Sequence, residues 1–163
     1  MLMPESPSSG SLPRDAAAPI YSEKLWPAWW VWVVVIGIAG ACILVLAPIS
    51  LAAGYTGAVI VFLVLCGILI ATTPAVVVTP RELRAGRAVL PREFVASAEP
   101  FTGDEATAER GPRLDGRAYL CMRGWISPVV RVDLNDPEDP TPYWLVSTRR
   151  PAKLVAALAG TRG

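Results

Sequence analysis

Residues 25–80 read LWPAWWVWVVVIGIAGACILVLAPISLAAGYTGAVIVFLVLCGILIATTPAVVVTP and contain no Asp, Glu, Lys or Arg. A helix crosses the hydrocarbon layer of a bilayer with about 20 apolar residues. The stretch is long enough for two such helices, and Pro48 separates them. The sequence therefore predicts a helical hairpin that anchors the chain in a membrane, with spans at residues 29–47 and 53–72.

The basic residues that flank this hairpin predict its orientation. Arg14 and Lys24 precede the first span, and Arg81, Arg84 and Arg87 follow the second, whereas the connection between the spans has no basic residue. Flanks rich in Lys and Arg remain on the cytoplasmic side of a membrane. We therefore expect a multi-pass protein of the cell (plasma) membrane with both termini in the cytoplasm.

The parts of the chain on either side of the anchor, residues 20–74, differ in composition. Residues 1–19 are rich in Pro, Ser and Gly without an apolar face, which predicts a disordered tail. Residues 75–163 show short strand patterns and then an amphipathic helix at 151–159. We expect a small cytoplasmic α+β domain with an antiparallel, bent sheet and a C-terminal helix.

The strand pattern of this domain is interrupted by turns. One strand is expected on each side of a tight turn at Gly86, and residues 102–116 are expected to form a long loop. In the last strand, alternation predicts that Trp144 points into the core and Tyr143 away from it. The predicted strands cover residues 75–79, 83–90, 94–98, 117–122, 125–133 and 143–147.

The composition limits the classes of function. The net charge is +1 and the chain contains no histidine. A nearly neutral chain lacks the field that attracts nucleic acid, and the lack of histidine removes the commonest general base and metal ligand. We expect no nucleic-acid partner, no cofactor, no metal ion and no catalytic residue.

The cysteines fit a reducing compartment. Cys42 and Cys66 lie in the apolar stretch and Cys121 in the polar half, and no two are spaced as a CxxC pair. A nucleophilic Cys121 would need a group such as Asp133 or Arg123 to lower its pKa. We favour a small residue buried in a strand.

An acidic cluster follows the predicted strand at 125–133. It begins like a calcium-binding loop but lacks the glycine that such a loop needs, and its prolines favour a stiff exposed turn. The cluster consists of Asp133, Asp136, Glu138 and Asp139. Asp133, Asp136 and Arg131 are also the working groups of an alternative hypothesis, an enzyme or accessory subunit acting at the membrane face.

Two further groups of residues have candidate roles. Tryptophan prefers the membrane interface, so an interfacial belt is favoured over an aromatic cage for Trp26, Trp29, Trp30 and Trp32. A basic cluster lies at the start of the last predicted helix, where a helix N-terminus attracts anions. Its members, Arg149, Arg150 and Lys153, are candidates for contact with lipid headgroups or phosphate, the alternative being a solvated charged helix end.

Three short segments resemble the DUF3093 family of uncharacterised actinobacterial membrane proteins. They are YSEKLW at residues 21–26, VVVTPRELRAG at 76–86 and YWLVSTRRP at 143–151. The polar half is also similar to bacterial pleckstrin-homology-like (PH-like) domains, which often follow two transmembrane helices and begin their last helix with a motif like residues 148–151. The resemblance implies this architecture and no catalytic residues.

The sequence thus predicts an uncharacterised integral membrane protein that acts as a non-enzymatic interaction module. The expected partners are the lipid bilayer through the basic cluster, or an unknown protein, with a homo-oligomer left open. A transporter or channel is disfavoured because neither span carries a charged residue.

Overall fold

The computed structural model describes residues 18–160, so residues 1–17 of the predicted tail lie outside it. Its architecture is a pair of long apolar helices followed by a sheet domain with a C-terminal helix, as the sequence predicts. The elements are β1 (Tyr21–Lys24), α1 (Trp29–Leu46), α2 (Leu51–Ala71), β2 (Ala75–Val78), β3 (Glu82–Ala85), β4 (Ala88–Pro91), β5 (Val95–Phe101), α3 (Gly103–Arg110), β6 (Tyr119–Cys121), β7 (Val129–Leu134), β8 (Tyr143–Ser147) and α4 (Pro151–Ala159).

Helices α1 and α2 are each long and apolar enough to span a membrane. Only 17% of the most apolar window of α1 and 11% of that of α2 are buried. These helices are therefore not the core of the sheet domain, and their apolar side chains point outwards on most sides. In water such a surface would be strongly unfavourable, because apolar area costs about 25 cal/mol per Å² to expose.

Small residues of α2 allow the two helices to approach closely. Gly54 and Ala58, four residues apart, are the buried residues of this helix. A Cβ atom added at Gly54 would lie 3.3 Å from the carbonyl oxygen of Ile43 and 3.4 Å from its Cα, so the backbone of α1 touches this position. A small pair with the same spacing on α1, Gly37 and Ala41, is exposed and does not form the contact.

The hairpin is inserted between two neighbouring strands of one sheet. Strand β1 precedes α1 and pairs antiparallel with β2, which follows α2, with Lys24 opposite Ala75. The predicted anchor of residues 20–74 therefore begins with a strand of the sheet domain. This strand was not expected, because a four-residue polar segment carries little periodicity and its partner lies beyond the whole hairpin.

The strands form two four-stranded sheets, in the orders β1-β2-β3-β4 and β5-β7-β8-β6. All pairs are antiparallel except β6 with β8, which are parallel. Gly86, with a φ of +66°, forms the predicted tight turn between β3 and β4, because glycine adopts this backbone conformation without steric cost. The predicted strand at 125–133 begins only at Val129, directly after Pro128, which cannot donate to a ladder.

Strand β8 is buried on both faces, which corrects the prediction for Tyr143. Trp144 belongs to the main core between the two sheets and α4, while Tyr143 and Leu145 belong to a second cluster on the opposite face. Helix α3, in the segment predicted as a loop, covers that face with Ala106. Because α3 excludes water there, Tyr143 is only 3% exposed.

We predict that Gly54→Leu destabilises the hairpin. The added side chain must displace the α1 backbone, and overpacking of this kind typically costs about 1–3 kcal/mol. The matched control is Gly67→Leu in the same helix, where an added Cβ meets nothing within 4 Å. Thermal unfolding of the full chain in detergent should show a lower Tm for Gly54→Leu alone; equal Tm values for both variants would contradict the packing described above.

Candidate functional site at the base of the hairpin

Three hydrogen bonds hold the base of the hairpin, the residues Leu25, Trp26, Thr72 and Pro74, against the sheet domain, and a fourth closes the base itself. Within the base, the amide of Leu25 donates to the carbonyl oxygen of Pro74 at 3.0 Å. Three side chains of the domain donate to its remaining carbonyls: the indole of Trp125 to Leu25 at 3.3 Å, Arg149 to Trp26 at 2.5 Å and Arg123 to Thr72 at 2.6 Å. The hairpin and the domain are thus joined by polar contacts at both ends of the insertion.

Glu23 in β1 joins two of the sequence motifs. Its Oε2 accepts hydrogen bonds of 2.5 Å from the hydroxyls of Tyr21 and Thr148, and its Oε1 accepts one of 3.0 Å from the backbone amide of Arg149. The hydroxyl of Thr148 also accepts a hydrogen bond from the amide of Arg150 at 3.0 Å. The start of α4 is therefore positioned by the segment that precedes the first long helix.

This network shifts the pKa values of two of its members. Burial favours the neutral form of Glu23, but the hydrogen bonds from Thr148, Tyr21 and the Arg149 amide, together with the Arg149 charge, outweigh it and hold the carboxyl pKa below its usual 4.5. Burial, and then the contact with Glu23, raises the pKa of Tyr21 to about 12. At neutral pH, Glu23 is therefore an anion and Tyr21 a hydroxyl donor.

Helix α4 runs from the base of the hairpin towards the opposite end of the domain. Arg149, directly before the helix, donates to the Trp26 carbonyl. Near the end of the helix, the carbonyl oxygen of Leu158 accepts a hydrogen bond from Arg92. Arg92 also donates to the carbonyl oxygen of Thr79, just after β2, at 3.2 Å. The positive end of the helix dipole therefore lies on the hairpin side.

The predicted basic cluster lies at this end of α4. Arg149, Arg150 and Lys153 are all exposed. Arg149 uses its guanidinium on Trp26, whereas the side chains of Arg150 and Lys153 form no hydrogen bond or ion pair with any residue from 18 to 160. The structure thus brings the three together and leaves two of them open to an external ligand.

Further basic residues lie on the same side of the domain. Lys24 ends β1 next to the hairpin, with its ammonium 4.4 Å from the centre of the Trp26 ring. Arg87 lies in the turn after β3, where the neighbouring Gly86 amide donates to Ala75 at 2.9 Å. We call the side that carries Lys24, Arg87, Arg123 and the α4 basic cluster the hairpin-side face.

The acidic cluster lies at the opposite end of the domain. The amide of Asn135, within it, donates to the carbonyl oxygen of Phe94 at 2.8 Å. Phe94 lies two residues after Arg92, whose amide donates to Arg81 in the β2–β3 turn at 2.9 Å. Asp136 and Asp139 each accept a hydrogen bond of 2.9 Å from backbone amides of their own turn. Among residues 18–160 there is no group of three or more acidic or cysteine side chains arranged to hold a metal ion.

Arg131 and Asp133 form a structural ion-pair network. The Arg131 guanidinium contacts Asp133 at 2.9 Å and the buried Glu109 of α3 at 3.5 Å. It also lies over the Tyr143 ring, 4.1 Å from its centre. Ser97 donates to Asp133 at 2.7 Å. The pair predicted as working groups is therefore in contact, but Asp136 makes its contact within its own turn.

The remaining candidates are positioned separately. Within residues 18–160 the four tryptophans near the start of α1 make no ring contact with one another; Trp26, Trp29 and Trp30 are exposed, whereas Trp32 is half-buried. Cys121 is 6% exposed in β6. Burial raises the pKa of its thiol, against a smaller opposite effect of Arg123, so the thiol stays protonated at neutral pH.

Sequence reasoning missed Glu23 and Arg123 as residues of this site. Glu23 lies within the YSEKLW segment, so the motif marked the region without indicating the contact. Arg123 was considered only as a neighbour of Cys121, and its bond to the end of α2 depends on a fold that brings residues far apart in the chain together.

Comparison with known proteins identifies one family. A family model described as "Protein of unknown function (DUF3093)" matches residues 20–158. No curated protein matches the chain, and no solved structure does. The similarity of the sheet domain to PH-like domains therefore stays a prediction.

We predict that Glu23→Gln destabilises the chain at neutral pH by about 1 kcal/mol, the net value of a typical hydrogen bond to a half-exposed group. Because the folded pKa of Glu23 is lowered, its contribution is present above its usual pKa of 4.5 and is lost as pH falls through the folded value. The difference in unfolding free energy from wild type should therefore shrink in acid.

Chemical denaturation of the full chain in detergent across pH 7 to 3 measures this difference. The control is Glu93→Gln, an exposed carboxylate outside the network, which should change stability little at any pH. A Glu23→Gln effect that persists unchanged at the acid end would contradict a role for the Glu23 charge.

Proposed function

The chain belongs to the DUF3093 family, a family of unknown function, and we propose that it is a membrane-anchored domain that binds anionic lipid headgroups. In this proposal α1 and α2 anchor the chain in the cell (plasma) membrane, and the sheet domain lies in the cytoplasm beside the inner leaflet. The observation that carries the proposal is the hydrogen bond from Arg149 to the Trp26 carbonyl. It ties the basic start of α4 to the point where the chain enters its first apolar helix.

The charges of the hairpin-side face support this assignment. A domain held at the end of a membrane hairpin must present one face to the bilayer, and here that face is basic while the acidic cluster lies at the opposite end. Basic residues near an anionic leaflet gain about 1 kcal/mol each. The N-terminus of α4 adds a partial positive charge on the same side.

A lipid partner is favoured over a protein partner because of where the free cations lie. Arg150 and Lys153 follow Arg149, whose guanidinium donates to the Trp26 carbonyl just before α1. Their side chains are therefore within reach of headgroups without any change of fold. The proposal is for a binding protein and not an enzyme, since Arg131 and Asp133 contact each other and Asp136 is used within its own turn.

We predict that Arg150→Gln combined with Lys153→Gln weakens the association of α4 with anionic lipid. Loss of two cations removes about 2 kcal/mol, or roughly thirtyfold in affinity. The readout is the quenching of a fluorophore attached at Ala152→Cys. The other cysteines are removed by Cys42→Ala, Cys66→Ala and Cys121→Ala, which we call the cysteine-free background. Nanodiscs contain phosphatidylcholine with increasing phosphatidylglycerol that carries a nitroxide quencher near the top of one acyl chain.

Arg81→Gln combined with Arg84→Gln is the matched control. This double variant also removes two positive charges, from exposed positions on β3 and the turn before it. Quenching of the fluorophore by nitroxide-labelled phosphatidylglycerol should therefore equal that of the chain without charge substitutions. If the Arg150 and Lys153 variant is quenched like this control, the lipid proposal is wrong and the basic cluster becomes a candidate surface for an acidic protein partner.

A further inference from the structure

A half-enclosed groove lies where α2 meets the sheet domain. Its volume is about 460 Å³, within the range of roughly 300–1,000 Å³ that is usual for small-molecule sites. One wall is the end of α2 and the residues that follow it, and the other is formed by the β3–β4 turn and β6. The side chains that decide its chemistry are those of Arg87, Arg123, Tyr119, Leu120, Pro74 and Thr72.

The uncharged polar groups of the groove are already satisfied. The Tyr119 hydroxyl donates to the carbonyl oxygen of Ala85 at 2.9 Å. The hydroxyls of Thr72 and Thr73 donate back into α2 at 2.7 and 2.6 Å. Cys121 presents a protonated thiol, a weak hydrogen-bonding group. A ligand would therefore be recognised by the two guanidinium groups.

Both arginines have donors available. Arg123 is held in place by bonds to the carbonyls of Thr72 and Met122, at 2.6 and 3.1 Å, and a guanidinium has five N–H donors, so about three remain. The side chain of Arg87 is exposed and forms no hydrogen bond or ion pair with the described residues 18–160. Among the residues that the structure describes, no acidic side chain lines the groove.

The rest of the lining is apolar and continues onto the hairpin. Leu120 is 42% exposed at the groove, and Pro74 forms part of the opposite wall. One turn before Thr72 on the same face of α2, Ile68 exposes an apolar side chain. A ligand that used both the two guanidinium groups and this apolar surface would combine an anionic group with an apolar body.

We propose that the groove binds one anionic phospholipid of the bilayer, with its phosphate between Arg87 and Arg123 and its glycerol backbone against Leu120 and Pro74. The inference rests on the proposed membrane anchoring. It goes further by assigning a second, concave site for a single lipid, separate from the α4 basic cluster. Two arginines on one phosphate suit the site, because guanidinium groups bind phosphate through paired hydrogen bonds.

The test uses a single thiol in the groove. Leu120→Cys is placed in the cysteine-free background, and the full chain is reconstituted into nanodiscs of phosphatidylcholine with increasing phosphatidylglycerol. We expect reaction with an uncharged maleimide to slow by about tenfold when nine-tenths of the grooves are filled, since only empty grooves react. Val89→Cys, an exposed position on β4 outside the groove, is the control and should react at the same rate throughout.

Charge variants identify the groups that hold the lipid. Adding Arg87→Glu should abolish the protection of Leu120→Cys, whereas Arg81→Glu, the same charge change at the far end of the domain, should preserve it. Arg150→Gln with Lys153→Gln should also preserve it, which separates this site from the α4 basic cluster. If instead the α4 variant removes the protection and Arg87→Glu does not, the groove is not the binding site.

Two further results would overturn the inference. Equal labelling of Leu120→Cys with and without phosphatidylglycerol would show that no anionic lipid enters the groove, even if the α4 fluorophore still reports headgroup binding. Protection by inorganic phosphate, without any protection by phosphatidylglycerol, would show that the ligand is a free anion and not a lipid. Thermal unfolding of each variant, matched to the cysteine-free background, confirms that the compared chains are folded.

Discussion

The antiparallel pairing of β1 with β2 is the constraint on which the rest of the structure depends. These strands are neighbours in the sheet although two long apolar helices separate them in the chain. Their pairing fixes both ends of the helical pair on one side of the domain and brings Glu23 beside Thr148 and Arg149. Without it, the start of α4 would lose the contacts with Glu23 that position it beside the hairpin.

Positive and negative side chains of the domain are separated between the end next to the hairpin and the opposite end. Basic side chains lie around the base, and the turn with three acidic residues lies at the other end. The net charge of the chain, +1, conceals this separation because the opposite charges nearly cancel. The arrangement matters more than the sum, since exposed charges interact over about 10 Å at ordinary ionic strength.

Much of the architecture was readable from local patterns, and the long-range contacts were not. The charge-free stretch located α1 and α2, and the last helix and the turn at Gly86 followed from proline and glycine chemistry. The helix within residues 102–116 was missed because its polar surface masks a narrow buried face, and the misassignment of Tyr143 followed from it. Arg149 was identified within a sequence motif. Its contact with Glu23 was not predictable from local pattern, because it depends on β1 pairing with β2.

The position of β1 also has a consequence for biosynthesis. This strand leaves the ribosome before either long helix, and its partner β2 emerges only after both. At about 5–20 residues per second, β1 must remain unpaired for several seconds of elongation. The sheet can close only once the two helices have formed a hairpin that returns the chain to its starting side. The pairing of β1 with β2 therefore reports that both helices have formed and returned the chain to its starting side.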